Sequence, residues 1–234
     1  MRQFDVFFYP AKPAEPLFTD KDLGWFYSEN LNEDLKKSDA EWIIFAKPEV
    51  QITRNFLNDL ACTISDFPYV DAFAPKICFE NEVIPSGFKL SKKNGLELIS
   101  KEESLKFIAC PTPQILILSK RMLDRTGLFD LQFSNDFLFL DLTLRMLHAG
   151  GKLFYVPYLI VQTTENHSYL FSKKELAFCL YKSFGFFFIL PLLLKNPSLF
   201  LHLFIVRKWL NEKREKAIAL SKLDKNFLKE LLSQ

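Results

Sequence analysis

Few side chains in this 234-residue chain stand at the spacings that chemistry requires. Only 7 glycines are present against 26 phenylalanines, so no glycine-rich loop exists to bring backbone N–H groups against a phosphate. Cys62, Cys78, Cys110 and Cys179 form no C-x-x-C pair. That argues against a zinc knuckle or a disulfide framework and for buried thiols in a reducing cytosol. Asp141 and Arg145 lie one helical turn apart, a spacing that serves structure more often than catalysis. Asp136 precedes them and, read alone, is the N-cap of a helix starting at Phe137. His167 falls in the polar run 163–168, which reads equally as a surface loop.

The elements that would position these residues read as an α/β domain over residues 1–170, with a mixed or largely parallel sheet. Phe4 to Tyr9 is a short aromatic strand, and Asp20 to Lys37 is expected to be helical, capped by Thr19 or Asp20. Glu41-Trp42-Ile43-Ile44-Phe45-Ala46 is a continuous apolar run, the pattern of a strand covered on both faces. Thr53 caps a helix over 54–64, Tyr69 to Pro75 is a strand, and polar loops follow at 80–82 and 85–87. Gln114 to Leu118 is another buried strand. Ser119 caps a short helix that Gly127 ends. Phe137 to His148 is apolar nearly all round and closes at Gly150-Gly151, with strands at 153–156 and 159–162 after it.

Residues 171–234 differ in character. They hold 12 of the 30 Lys and Arg but only 5 of the 28 Asp and Glu. From Ser183 to Val206 the only Lys, Arg, Asp or Glu is Lys195. The apolar runs 183–194 and 196–206 are each too short to cross a hydrocarbon core, which needs about 20 helical residues, and Pro191 and Pro197 interrupt a joined span. A basic, apolar helical tail lying at an anionic membrane surface is the expectation, against packing on the α/β domain or a homodimer interface. The basic residues flank the apolar runs instead of alternating with aromatics, which excludes nucleic acid as the partner. The N-terminus lacks the long apolar run of a secretory signal.

The order and punctuation of elements over roughly residues 24–168 resemble family 2 glycosyltransferases. The match is carried by 41–50, by Ala74-Pro75-Lys76-Ile77 with Gly87, by Ile115 to Lys120, by Gly127-Leu128-Phe129-Asp130, by Asp141-Leu142-Thr143-Leu144-Arg145 and by 150–157. The resemblance implies a GT-A fold, a nucleotide-sugar donor, and a divalent metal (Mn or Mg) held by carboxylates at a strand end. Its metal turn falls on Lys47-Pro48-Glu49. Only Glu49 remains there as a metal ligand, while Lys47 would face the diphosphate. The family's acidic base pair falls on Leu138 and Phe139, leaving Asp136 as the substitute base, and His167 as the nearest residue to a further metal-ligand position. Only 23 residues precede Gly24, so the nucleotide half is contracted, and its pocket is built differently or absent. Two functions follow. One is a transferase of envelope glycan or polysaccharide assembly, using a glycan or lipid-linked acceptor, cytoplasmic and peripheral at the inner face of the cell membrane. The other is a binding or scaffolding protein on the same fold, without the transfer chemistry.

Overall fold

The computed structural model describes residues 2–10, 23–28, 30–91, 94–99, 104–166, 172–219 and 232. In chain order the elements are β1 (Phe4–Phe8), β2 (Leu23–Tyr27), α1 (Leu31–Lys37), β3 (Trp42–Ala46), β4 (Val50–Gln51), α2 (Arg54–Asp66) and β5 (Ala72–Phe79). Next come β6 (Glu82–Ile84), β7 (Gly87–Ser91), β8 (Gly95–Ile99), β9 (Lys106–Phe107), β10 (Cys110–Pro111) and β11 (Ile115–Ser119). The chain continues through α3 (Lys120–Thr126), α4 (Asn135–His148), β12 (Leu153–Thr163), α5 (Lys173–Phe184), α6 (Phe186–Lys195) and α7 (Ser198–Ala219).

The main sheet runs β2-β1-β3-β11-β5-β12-β4, with β6 on β5 and β9 on β12; β10, β7 and β8 form a small separate sheet. β1 is parallel to both β2 and β3, and β12 to β5, while β11 is antiparallel to both its neighbours. The sheet is mixed because β11 reverses direction at its centre. Alternate side chains serve two cores. Ile44, Ala46, Ile115 and Ile117 face the layer that holds Phe56, Leu57 and Leu60 of α2. Ile43, Phe45, Leu116 and Leu118 face the layer that holds residues of α1, α3, α4, α5, α6 and α7. Strands buried on both faces must be apolar throughout, and that is why they read as continuous runs.

Several local signals act as expected. Thr53 Oγ1 accepts the Phe56 amide at 3.2 Å and starts α2. Ser119 caps α3, and Gly127 ends it at φ 82°, a conformation that only glycine adopts without strain. Glu80 and Asn81, both at positive φ, make the tight turn between β5 and β6.

Three expectations are corrected. Leu23 to Tyr27 is a strand, not the first turns of a helix; Thr19 and Asp20, its expected caps, lie outside the described residues. Aromatic stacking decides this: Phe26 lies 4.5 Å from Phe7 at 7°, and Trp25 5.8 Å from Phe8 at 9°, across the β1–β2 ladder. A Cβ at Gly24 would collide with the carboxylate of Asp5, so a bare backbone is needed at this edge. Residues 153–163 form one strand instead of two, its ladder to β5 shifting register between Val156 and Ile160, around Pro157, which has no N–H to donate. Finally, Cys62 is exposed, while Cys78, Cys110 and Cys179 are buried. Burial pushes the Cys110 thiol up to about 12 and Cys179 well above its ordinary value, so neither is a ready nucleophile.

The tail is held to the α/β domain by buried charge. Lys182 Nζ on α5 donates to Asp141 Oδ1 on α4 at 2.6 Å, with the two side chains 3% and 1% exposed. Arg145 Nε donates to the other oxygen of Asp141 at 2.9 Å, and its Nη atoms close the end of α3 by donating to the carbonyls of Thr126 at 2.7 Å and Leu128 at 2.9 Å. Asp130 accepts from Lys182 at 3.3 Å and from Lys213 of α7 at 2.9 Å. Burial alone would raise the Asp130 carboxyl, but the Lys213 hydrogen bond and the Lys182 charge outweigh it and hold the group below the usual carboxylate range.

Lys182→Met is expected to lower the unfolding free energy by about 3 kcal/mol, the low end for breaking a buried pair, because Arg145 still faces Asp141. Urea denaturation measures it, and a loss under 1 kcal/mol would contradict the role given to this pair.

Candidate functional site

Because β1, β2 and β3 are parallel, with Phe8 opposite both Tyr27 and Ala46, their carboxyl ends share one edge of the sheet. In open α/β sheets this is the edge where ligands bind. Two parallel strands, β1 and β2, precede α1 at this edge.

The turn after β3 is built by the backbone. Lys47 N donates to Gln114 O at 2.8 Å and Val50 N to Lys47 O at 3.0 Å, while Thr164 N donates to Glu49 O at 3.0 Å. β4 then pairs with the end of β12, Val50 opposite Thr163. The sheet thus brings Lys47, Glu49 and segment 163–166 to one place. His167 lies outside the described residues.

Alternation along the strands puts Lys47 on the α4 side of the sheet, since Phe45 faces that layer. Its Nζ meets Asp136 Oδ1 at 3.1 Å, with side-chain exposures of 20% and 58%. Asp136 is not the helix cap: α4 begins at Asn135 with Ser134 in the cap position, and Asp136 stands in the first turn. There its charge is favoured by the unpaired N–H groups of the helix start. Two of the residues singled out in the sequence, one by its turn and one by elimination, therefore form an ion pair across 89 positions.

Gln114 was not recognised in the sequence as more than the first residue of a strand. It is fully buried beside the Lys47 turn, and neither its Nε2 nor its Oε1 has a hydrogen-bond partner among the described residues. Leaving such an amide unsatisfied costs about 1–3 kcal/mol, which a bound ligand or water would recover. Its only sequence signal was a polar side chain at the mouth of an apolar strand.

The described donors do not make a divalent-cation site. Such ions take about six oxygens, from carboxylates, carbonyls and water, whereas this turn offers one carboxylate, Glu49, two positions along the chain from a lysine, Lys47. Among the described residues no group of three or more His, Cys, Asp or Glu converges. What the arrangement supplies is a cation, a carboxylate and a buried amide at the carboxyl edge of a parallel strand set.

No family model and no curated protein matches the sequence. Among solved structures, GalNAc-T7 with UDP, GalNAc and Mn2+ superposes with a TM-score of 0.52 at 11% identity, over 76% of this chain and 47% of that one. S. aureus TarS superposes with a TM-score of 0.47 at 14% identity, over 78% and 40%. TarS 1-349 in complex with UDP-GlcNAc gives 0.46 at 13%, over 78% and 67%. This chain thus spans less than half of the GalNAc-T7 structure. The protein has the GT-A glycosyltransferase fold in a divergent form, a mixed sheet flanked by helices. At these identities the likeness extends to the fold alone.

Asp136→Asn should cost at most about 1 kcal/mol of stability, since the pair it breaks is solvent-exposed on one side. Gln114→Leu should instead stabilise the ligand-free protein, by about 1 kcal/mol, because it removes an unsatisfied buried amide. Paired urea titrations read both. A destabilising Gln114→Leu would mean that the amide is already bonded.

Proposed function

We propose that this protein binds a nucleotide sugar at the carboxyl edge of β1, β2 and β3 and acts in envelope glycan or polysaccharide assembly. The observation that carries the reading is the Lys47–Asp136 ion pair at that edge of a GT-A fold, with the buried Gln114 joined to the Lys47 turn through its backbone carbonyl. In the proposed complex the Lys47 ammonium faces the diphosphate and offsets part of its charge, work otherwise done by a metal ion. Gln114 satisfies its amide on the donor. Asp136, released from Lys47 by the incoming phosphates, is the carboxylate that would take the acceptor hydroxyl proton. The acceptor would be a glycan or a lipid-linked sugar. Glu49, with His167, is the pair that would hold Mn2+ or Mg2+ if one is used.

A second reading, a binding or scaffolding protein without transfer chemistry, is favoured by one observation. The only acid near Lys47 among the ion pairs of the described residues is already neutralised by it at 3.1 Å. Calorimetric titration with UDP and UDP-GlcNAc, with Mn2+ and with EDTA, separates the possibilities. Binding of equal strength in both media, weakened about tenfold or more by Lys47→Ala, is the expected result. Tight Mn2+-dependent binding that Glu49→Ala removes would restore the metal. No binding of any nucleoside diphosphate would overturn the donor reading.

The same proposal places the protein peripherally at the inner face of the cell membrane. No helix among the described residues is long and apolar enough to cross a membrane, yet Phe187 is 87% exposed, Phe204 74% and Leu201 65%. Isolated exposed apolar residues need no explanation, but a cluster bordered by cations marks an interaction surface. In liposome flotation, binding should require anionic lipid, weaken with salt and fall sharply in Phe187→Ser/Leu201→Ser. Indifference to anionic liposomes would rule out this placement.

A further inference from the structure

The three tail helices line a half-open cavity that the donor site does not use. It has a volume of about 280 Å³ and is lined by Tyr181 of α5, Phe186 of α6, and Phe200, Leu203, Phe204 and Arg207 of α7. Its shape depends on the α5–α6 corner at Gly185, whose φ of 83° no other residue adopts without strain. Tyr181 does not offer its hydroxyl proton to the cavity, because it donates to Asn211 Oδ1 at 2.7 Å. Among the described lining residues Arg207 is therefore the one charged group in an otherwise aromatic and aliphatic wall.

We infer that this cavity takes one acyl chain of an anionic lipid, with the headgroup held by Arg207. The inference rests on the proposed placement at a membrane surface and gives it a defined ligand. Four observations support it. The lining matches a hydrocarbon chain and offers too few polar groups for a sugar nucleotide. The volume falls just below the roughly 300–1,000 Å³ typical of small-molecule sites, enough for one slender chain. On α7 the change from apolar to cationic is abrupt, Ile205-Val206 being followed at once by Arg207-Lys208, as at the boundary between hydrocarbon and headgroups. Arg214, seven residues further along the same face, lies against Gly185, and its buried Nε has no hydrogen-bond partner among the described residues.

Charge also selects against the other occupant, a second copy of this chain. Arg207 lines the cavity and Lys208 follows it at an exposed position, so a two-fold pairing that set this end of α7 against its own copy would meet like charge.

Calorimetric titration of the full chain with dodecyl phosphate below its critical micelle concentration tests the inference. Dodecyl maltoside supplies the chain with a neutral head, and inorganic phosphate supplies the head alone. The expected result is one dodecyl phosphate per chain, with neither control binding comparably. Phe204→Ser and Arg207→Gln, both at exposed positions, should each weaken binding about fivefold or more, with thermal unfolding unchanged. Equal binding of dodecyl maltoside, saturation by inorganic phosphate alone, or no binding of dodecyl phosphate would each overturn it. So would a dimer in sedimentation that Phe204→Ser dissociates while dodecyl phosphate fails to bind. Liposome flotation run in parallel keeps the two proposals apart. Dodecyl phosphate binding without flotation supports the cavity and removes the membrane placement, whereas flotation without dodecyl phosphate binding does the reverse.

Discussion

Lys182 and Asp141 meet at 2.6 Å where almost no water reaches either side chain. Taking two charges out of water costs several kcal/mol per ion, and their attraction offsets this only when geometry is good and the remaining hydrogen-bonding capacity is filled. Here it is filled: Arg145 takes the second oxygen of Asp141, and Asp130 gives Lys182 a second acceptor. An apolar interface between α4 and α5 would tolerate sliding by a turn. A buried pair with these partners tolerates one register, and that register sets where α5, and through it α6 and α7, lie on the domain.

Arg145 extends the same constraint in the other direction. Its guanidinium accepts nothing and donates to the carbonyl of Thr126, which the end of α3 leaves without a helical partner, and to that of Leu128 just beyond it. One cluster thus joins α3, α4, α5 and α7. The stretches Gly127-Leu128-Phe129-Asp130 and Asp141 to Arg145, which carry part of the resemblance to glycosyltransferases, are occupied with holding helices together. Their presence supports the fold and says little about transfer.

What was legible in the sequence follows from the range of the interactions. Caps at Thr53 and Ser119, the glycine stop at Gly127 and the doubly buried strands were readable because their causes lie within a few residues. Leu23 to Tyr27 was not, since its strand state comes from stacking on Phe7 and Phe8, and nothing local to the segment forbids a helix. At the candidate site, Lys47, Glu49 and Asp136 were singled out by position along the chain, but the pairing of Lys47 with Asp136 spans 89 residues and leaves no periodic trace. Gln114 was missed for another reason: whether a polar side chain at a strand end is solvated or buried without partners depends on what the rest of the chain puts over it. Lys182 reads in the sequence as one of the cations flanking the apolar tail at a membrane surface, and its burial against Asp141 corrects that reading, because the partner lies 41 residues away on another helix.

α4 is the element on which these features converge. Its first turn carries Asp136 to Lys47, its middle carries Asp141 to Lys182, and at its end His148 lies against Phe184, 5.7 Å between ring centroids. Burial lowers the His148 pKa, so this end of the helix meets α5 as a neutral aromatic surface. Close-packed interiors move as units and do not stretch. Docking of the tail and placement of Asp136 are consequently one packing problem: a displacement of α5 large enough to break the Lys182 contact displaces α4, and with it the only carboxylate that meets Lys47 in an ion pair among the described residues.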